Sequence, residues 1–418
     1  MAARLGVENG VRPKKVAPMV LLVHGRIFLA TTLLFFSSTL VSAQETEWKK
    51  HIEGASAALE RDDYSQAVEL GLVALKEAEK FGPGDNRVVV SLLIVGAAYL
   101  EQQQFGEAER MLQRSLQILE RSENPDPASL VGVCKVLARA YDQTGRYAQA
   151  EALFRRALAT QIHAAGEEDP DVGVTLIELG DVLAWQGKLA EAERAYKNSE
   201  AILEKALGPE DPALAWNLSR QAEFYRRWQH NYEAAIDPAG RAVAIYRKAL
   251  GPDHPRLGAA LDILSAVYLE QGKYAQAEVL EREALAIVEK TNGPDHPTVA
   301  MRLNGLGILC RRQRRFTEAE SLYKRSLAIQ EKAYGPMHPK VALTLDNLVV
   351  LYIDSGQHQE ADPLSARALA IFEKVLGSDH PDVAQALMNR AALFRQMGRM
   401  MEAAELELRA RTIQYKRR

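Results

Sequence analysis

The sequence predicts an all-α protein, a solenoid of stacked helical hairpins, and three observations carry that prediction. A unit of 41 to 43 residues recurs nine times along the 418-residue chain. Two columns of small residues keep register through the copies. The first is Ala67, Ala108, Ala150, Ala192, Ala235, Ala277, Ala319, Ala361 and Ala403. The second, seven residues on, is Ala74, Ser115, Ala157, Ser199, Ala242, Ala284, Ser326, Ala368 and Ala410. Glycine and proline punctuate the units at fixed offsets, as in Gly251-Pro252-Asp253-His254-Pro255 and Gly293-Pro294-Asp295-His296-Pro297. Self-similarity at this period marks an array whose units lean on their neighbours, and it overrides the length-based expectation of two or three globular domains.

Composition agrees. Hydrophobic residues make up 47% and charged residues 26%, the balance of a soluble chain, and aromatics at 7% suit helices packed through Ala and Leu. A net charge of −3 excludes general affinity for nucleic acid, which needs a basic surface. Cys134 and Cys310 lie four repeats apart. At roughly 10 Å per repeat they are too distant for a disulfide, so both are expected as free, buried, small apolar residues.

Residues 1–43 stand outside the array. Arg12, Lys14 and Lys15 precede the apolar run Ile27 to Leu40, and Val41-Ser42-Ala43 supplies small residues where a signal peptidase cuts. Cleavage leaves Gln44 first; a start at Met19, with Arg26 as the positive charge, gives a signal of ordinary length. Export to the periplasm or medium is expected, with no membrane span after cleavage. The alternative is an N-terminal anchor, although Ile27 to Ala43 is short for a span of about 20 residues.

One repeat, Pro297 to Gly335, shows the construction. Pro297 sits in the first turn of a helix, where its missing N–H costs nothing. Leu303, Leu306 and Cys310 recur at helical spacing, and Arg311 to Arg315 carry the chain through a turn. Phe316 opens a second helix through Ala319, Leu322, Ser326 and Ile329, which Gly335 stops and Pro336 forbids from continuing. The first helix of each unit (helix A) has its own small position: Ala55, Gly96, Ala138, Gly180, Ala222, Ser265, Gly307 and Ala391, with Val349 the exception. Tyr99, Tyr141, Tyr225, Tyr268, Tyr352 and Phe394 follow three residues later and fill the wedge between units.

A small residue and an aromatic in helix A, then two small residues seven apart in helix B, resemble the tetratricopeptide repeat. The 42-residue period, the two Gly-Pro-Asp-His-Pro linkers and Leu369-Ala370-Ile371-Phe372-Glu373-Lys374 are similar to its kinesin light chain subtype. The resemblance covers eight units over residues 86–418, with a degenerate first hairpin within 44–85. It implies a right-handed superhelix whose concave groove, lined by A helices, holds extended peptides through paired asparagines. That pattern survives at Asn304, Asn347 and Asn389, whereas Ile263, Arg220 and Glu178 stand in the middle repeats. A motor subunit is not implied, since no heptad coiled coil accompanies the repeats.

His254, His296, His338 and His380, one per unit before a proline, invite a metal reading. Ligands must stand about 2 Å from one ion, and histidines a repeat apart cannot. Asp126, Asp169 and Asp211 hold the same place earlier, as helix N-caps do. No metal, cofactor or catalytic constellation is expected. For the groove, Trp185 and Trp216 are read as neighbours on consecutive units, close to Arg226 and Arg227, with Arg311 and Arg312 repeating the basic pair two units on. Arginine forks suit carboxylates and tryptophan an apolar anchor, so an acidic, partly aromatic segment fits. The alternative has these arginines solvated in turns and the tryptophans packing the seam.

Pro238, inside a helix B, predicts a local irregularity in curvature, while Pro363 lies nearer a helix start. The last helix, from about Met400, ends in Lys416-Arg417-Arg418 and leaves an apolar face for a partner or a second copy. The expected function is a non-catalytic, exported scaffold or adaptor gripping peptide segments of other proteins. A regulatory sensor that sequesters or releases a partner enzyme is the second reading.

Overall fold

The computed structural model describes residues 21–23, 26–28 and 43–415. A two-stranded ribbon, β1 (Leu21–Val23) and β2 (Arg26–Phe28), pairs antiparallel with Leu21 opposite Phe28. The rest of the expected export signal, including most of the Ile27 to Leu40 run and the cleavage motif, lies outside the described residues. Among those described, no helix is long and apolar enough to cross a membrane.

Helical hairpins follow. They are α1 (Ala43–Glu60) with α2 (Tyr64–Glu79), α3 (Asn86–Glu101) with α4 (Phe105–Arg121), and α5 (Pro127–Gln143) with α6 (Tyr147–Ala165). Next come α7 (Pro170–Trp185) with α8 (Leu189–Leu207), α9 (Pro212–Arg227) with α10 (Tyr232–Leu250), and α11 (Pro255–Glu270) with α12 (Tyr274–Asn292). The last three are α13 (Pro297–Arg312) with α14 (Phe316–Tyr334), α15 (Pro339–Asp354) with α16 (His358–Leu376), and α17 (Pro381–Gln396) with α18 (Met400–Tyr415). The chain divides into two compact units, Met1–Pro209 and Glu210–Arg418. Each is an all-α stack of hairpins, a solenoid segment.

The helix boundaries have local causes. Each A helix from α3 onward starts behind a side-chain cap. Asp85, Asp126, Asp169 and Asp211 accept backbone N–H groups at 2.7–2.9 Å. His254, His296, His338 and His380 do the same through Nδ1 at 3.1–3.3 Å. The evenly spaced histidines are thus caps, each satisfying a donor that a helix start leaves orphaned. The B helices from α6 to α16 close on Gly166, Gly208, Gly251, Gly293, Gly335 and Gly377. These glycines have φ between 80° and 96°, a region costly for other residues.

The small columns form the seams. Every residue of both B-helix columns is at most 1% exposed. Helix A contributes Gly96, Gly180 and Gly307, where an added Cβ would lie 2.6 Å from Leu112, 2.9 Å from Tyr196 and 2.4 Å from Tyr323. Tyr196 and Tyr323 are fully buried because those glycines admit them. Cys134 and Cys310 are free and buried, and burial pushes both thiols up to about 11.

Two expectations need correction. Arg311 and Arg312 end α13 rather than entering the turn, which is only Gln313 to Arg315. Nor does Pro238 break its helix: α10 has 19 residues like α8 and α12. Pro238 and Pro363 differ little, being the seventh residue of α10 and the sixth of α16. The turn before α10 is one residue longer than those before α8 and α12, and His230 there, with φ of 50°, serves where Gly187 and Gly272 serve elsewhere.

Candidate functional site

Within each unit A helices touch directly, for instance α3 with α5 and α15 with α17, whereas successive B helices are bridged by ion pairs between long side chains. The A helices are therefore the closer-set row. In the second unit three sides of each are covered, and solvent reaches positions 2, 5, 9, 12 and 16 after the N-cap, the i, i+3, i+4 spacing of one helical face. In α13 these are Thr298, Met301, Gly305, Ile308 and Arg312.

In the second unit the middle of this face is apolar. Position 5 reads Trp216, Ala259, Met301 and Leu343 from α9 to α15, with Met301 49% and Leu343 52% exposed. Positions 9 and 12 add Ile263 and Ala266 on α11, Gly305 and Ile308 on α13, and Asn347 and Val350 on α15. Large apolar side chains left half in water at one aligned position on consecutive helices mark an interaction surface better than scattered exposure does. None of Met301, Leu343, Ile263 or Ile308 was a predicted site residue. Counting from the caps would have found all four.

Polar groups lie beneath and beside this face, Glu281 buried and Asp262 about half exposed. Asp262 of α11, Glu281 of α12 and Arg302 of α13 meet: Arg302 pairs with Asp262 and lies 3.6 Å from Glu281. Burial pushes the Glu281 carboxyl up to about 7, and Asp262 adds to it against the attraction of Arg302. A Cβ at Gly305 would stand 2.8 Å from Glu281 Oε1, so a side chain there requires that carboxyl to shift.

The predicted asparagines do not form one row. Asn304 stands eight residues after its cap, Asn347 and Asn389 nine; the residue equivalent to them on α13 is Gly305. Asn304 is 9% exposed, and its Nδ2 donates to Thr344 at 2.7 Å, which in turn donates to Gln330. Asn389 donates to Asp346 at 2.5 Å. Both amide nitrogens bridge to the neighbouring A helix α15, and the Asn304 Oδ1 is buried without a partner among the described residues. Asn347 alone is half-buried without a hydrogen bond among the described residues.

The tryptophans and arginines are also redistributed. Trp216 is at position 5 and Arg226 and Arg227 at positions 15 and 16 of the same helix, about 15 Å apart at 1.5 Å per residue, so they are not one cluster. Trp185, 44% exposed at position 16 of α7, stacks on Tyr147 with centroids 5.9 Å apart in the first unit. Arg227 lies 3.2 Å and Arg226 3.7 Å from Glu223, and Arg311 lies 2.5 Å from Asp354. Arg312 is exposed, with no ion pair among the described residues.

One set of side chains has metal-ligand identities: Glu278, Cys310 and Glu318, with ligand atoms within 4.8 Å of one another. Its chemistry is that of an ion-pair network. Arg315 grips both oxygens of Glu278 at 2.7 and 2.8 Å, and Arg282 bridges Glu278 at 2.7 Å and Glu318 at 2.6 Å. Burial opposes ionisation of Glu278, but hydrogen bonds from Arg315, Gln313 and Arg282 hold its carboxyl at about 2. A cation would have to displace two guanidiniums. In the first unit, a 410 Å³ depression on α4 is lined by Gly106, Glu109, Arg110, Gln113, Arg114 and Gln117, with no nucleophile among them.

Helical hairpins seamed by small residues, with an exposed A-helix face, define the class. The tetratricopeptide repeat sequence profile matches residues 94–163, 171–247, 218–290, 282–332, 298–362 and 340–416, and the chain belongs to this family. No curated protein sequence matches it. Among solved structures, apo RapI is similar at 14% identity and TM-score 0.64, over 88% of this chain and 98% of its own. A signal-transduction ATPase with a tetratricopeptide repeat sensor, from Pyrococcus horikoshii, is similar at 17% identity and TM-score 0.61 over 90% of this chain and 54% of its own. A putative kinesin light chain from Podosopora anserina with nearly identical repeats shares 28% identity at TM-score 0.44, over 49% of this chain and 96% of its own.

Proposed function

We propose that the protein is a non-catalytic scaffold that captures a segment of another protein on the A-helix face of its second unit. The observation that carries this is the pair Met301 and Leu343, half exposed at one aligned position on neighbouring helices. Water gains where such side chains are covered, at about 25 cal/mol per Å² of apolar surface. The repeat family typically serves protein interaction, which supports the same reading.

The test is site-specific photo-crosslinking. A crosslinker at position 343 is expected to trap discrete protein segments, and one at 324, on the outer face, to trap none. Equal labelling from both positions overturns the reading. A Met301→Asp, Leu343→Asp variant should lose those partners while its far-ultraviolet circular dichroism and melting remain unchanged.

A regulatory sensor is the second reading, and one observation favours it: the P. horikoshii structure of similar fold carries its repeats as a sensor. Partner binding that changes with a small ligand would select this reading over the scaffold. We also propose export, from the basic-then-apolar sequence that ends in Val41-Ser42-Ala43. N-terminal sequencing of the mature protein should begin at Gln44; an intact N-terminus in the cytoplasmic fraction would overturn it.

A further inference from the structure

We propose that the occupant of the α11–α15 face is an amphipathic α-helix with an acidic flank, not an extended peptide. This rests on the reading that the face is a binding surface.

The first argument is hydrogen-bond accounting. Positions 5, 9 and 12 of these three helices are Ala259, Ile263 and Ala266, then Met301, Gly305 and Ile308, then Leu343, Asn347 and Val350. Only Asn347 among them carries a side-chain donor or acceptor, and the backbone beneath is already committed to helix. An extended segment pressed onto such a surface loses water from its N–H and C=O groups and finds almost nothing to replace it. A helix brings its own backbone hydrogen bonds and needs only apolar cover. The amide nitrogens that could have donated to an extended backbone are engaged, Asn304 with Thr344 and Asn389 with Asp346, and the remaining Asn304 oxygen is buried.

The second argument is relief. The small positions Ala259, Ala266 and Gly305 alternate with Met301, Ile308 and Leu343, a pattern of low and high points into which the ridge of another helix can set. A Cβ at Gly305 would come 2.8 Å from Glu281 Oε1, so a side chain there requires the Glu281 carboxyl to shift. A 16-residue helix is about 24 Å long, enough to reach across three helices set roughly 10 Å apart.

The third argument is charge. Along the edge formed by the A-helix starts, position 2 reads Arg256, Thr298 and Lys340. Lys340 has no carboxylate partner among the described residues; its ammonium lies 4.8 Å from the Tyr334 ring centroid and 3.2 Å from the Tyr334 hydroxyl. The opposite edge is mixed, with Glu270, Arg312 and the Arg311–Asp354 pair. Carboxylates on one flank of the incoming helix would meet Arg256 and Lys340, which sets orientation more than affinity.

The test is selection of a displayed library of random 16-residue peptides on the full chain. Winners are then synthesised and measured by fluorescence anisotropy and circular dichroism. The expected winners carry apolar residues at i, i+3 or i+4, and i+7 with Asp or Glu on one flank, and they gain helicity on binding. A central proline should weaken them at least about tenfold. Lys340→Glu should weaken them about threefold or more, an effect that shrinks as salt rises. Met301→Asp and Leu343→Asp should each weaken them at least about tenfold with melting unchanged. Winners that lose affinity in those two variants yet tolerate the proline and stay non-helical would overturn the helix while leaving segment capture standing. Winners indifferent to both variants, or no winners, would overturn both.

Discussion

At the scale of single residues, two positions decide how closely the helices approach. Gly307 leaves room for Tyr323, which is fully buried. Gly307→Ala should destabilise the chain by about 1–3 kcal/mol despite alanine's better helix propensity, because the ring has nowhere to move. A denaturant titration measures it. Glu281 is the second. Its carboxyl is raised from 4.5 to about 7, so the folded chain holds that proton more tightly than the unfolded chain does. The stability this contributes is complete below about 4.5 and is lost as pH rises through about 7. Glu281→Gln should therefore melt higher than the parent at pH 8 and alike at pH 5. Little of this pair could be read in advance. The size of Gly307 was legible as part of a column; that Glu281 would lie under Gly305 was not, because which helix covers a carboxylate is settled by packing between units.

At the scale of elements, caps, stops and hairpin lengths were legible because their causes are local. An N-cap needs an acceptor one residue before a helix, and Asp or His before Pro announces it. The asparagine row failed for a similarly plain reason: Asn304 is one residue out of step with Asn347 and Asn389, and one residue turns a helix by a hundred degrees or so. On the outer side, pairs such as Arg247–Glu283 at 2.9 Å and Arg367–Glu331 at 2.6 Å tie successive B helices within the second unit. They are well exposed, with Arg247 46% and Glu283 36% accessible. A double-mutant cycle on Arg247 and Glu283 should give a coupling below about 1 kcal/mol that fades in molar salt. A larger coupling would mean that the outer ladder contributes to stability beyond its geometry.

At the scale of the whole molecule, the repeat period alone was enough to assign the solenoid, since nine copies of a fixed spacing admit few other folds. The binding face was only half legible. Its asparagine candidates came from the family pattern and its arginines from basic pairs along helix A, while its apolar middle was visible in the sequence only to someone counting five residues from every cap. The two units also differ in their fastenings. Asp85, Asp126 and Asp169 cap the A helices of the first, and His254, His296, His338 and His380 cap four of those in the second.

That difference makes acidity a directional solvent. A carboxyl group can still accept a hydrogen bond once protonated, but an imidazolium has only donors and turns its positive charge toward a helix start that already bears one. At His254, burial and Arg256 hold the imidazole's proton affinity below the ordinary value, so its cap is whole above about 6.5 and comes undone as the medium sours past that lowered value. Hydrogen exchange at about pH 7 and at a pH below that lowered value should show the opening turn of α11 loosening while those of α3, α5 and α7 stay shut. In sour surroundings the first turn of α11, at the edge of the row bearing Met301 and Leu343, would fray and loosen whatever lay against it.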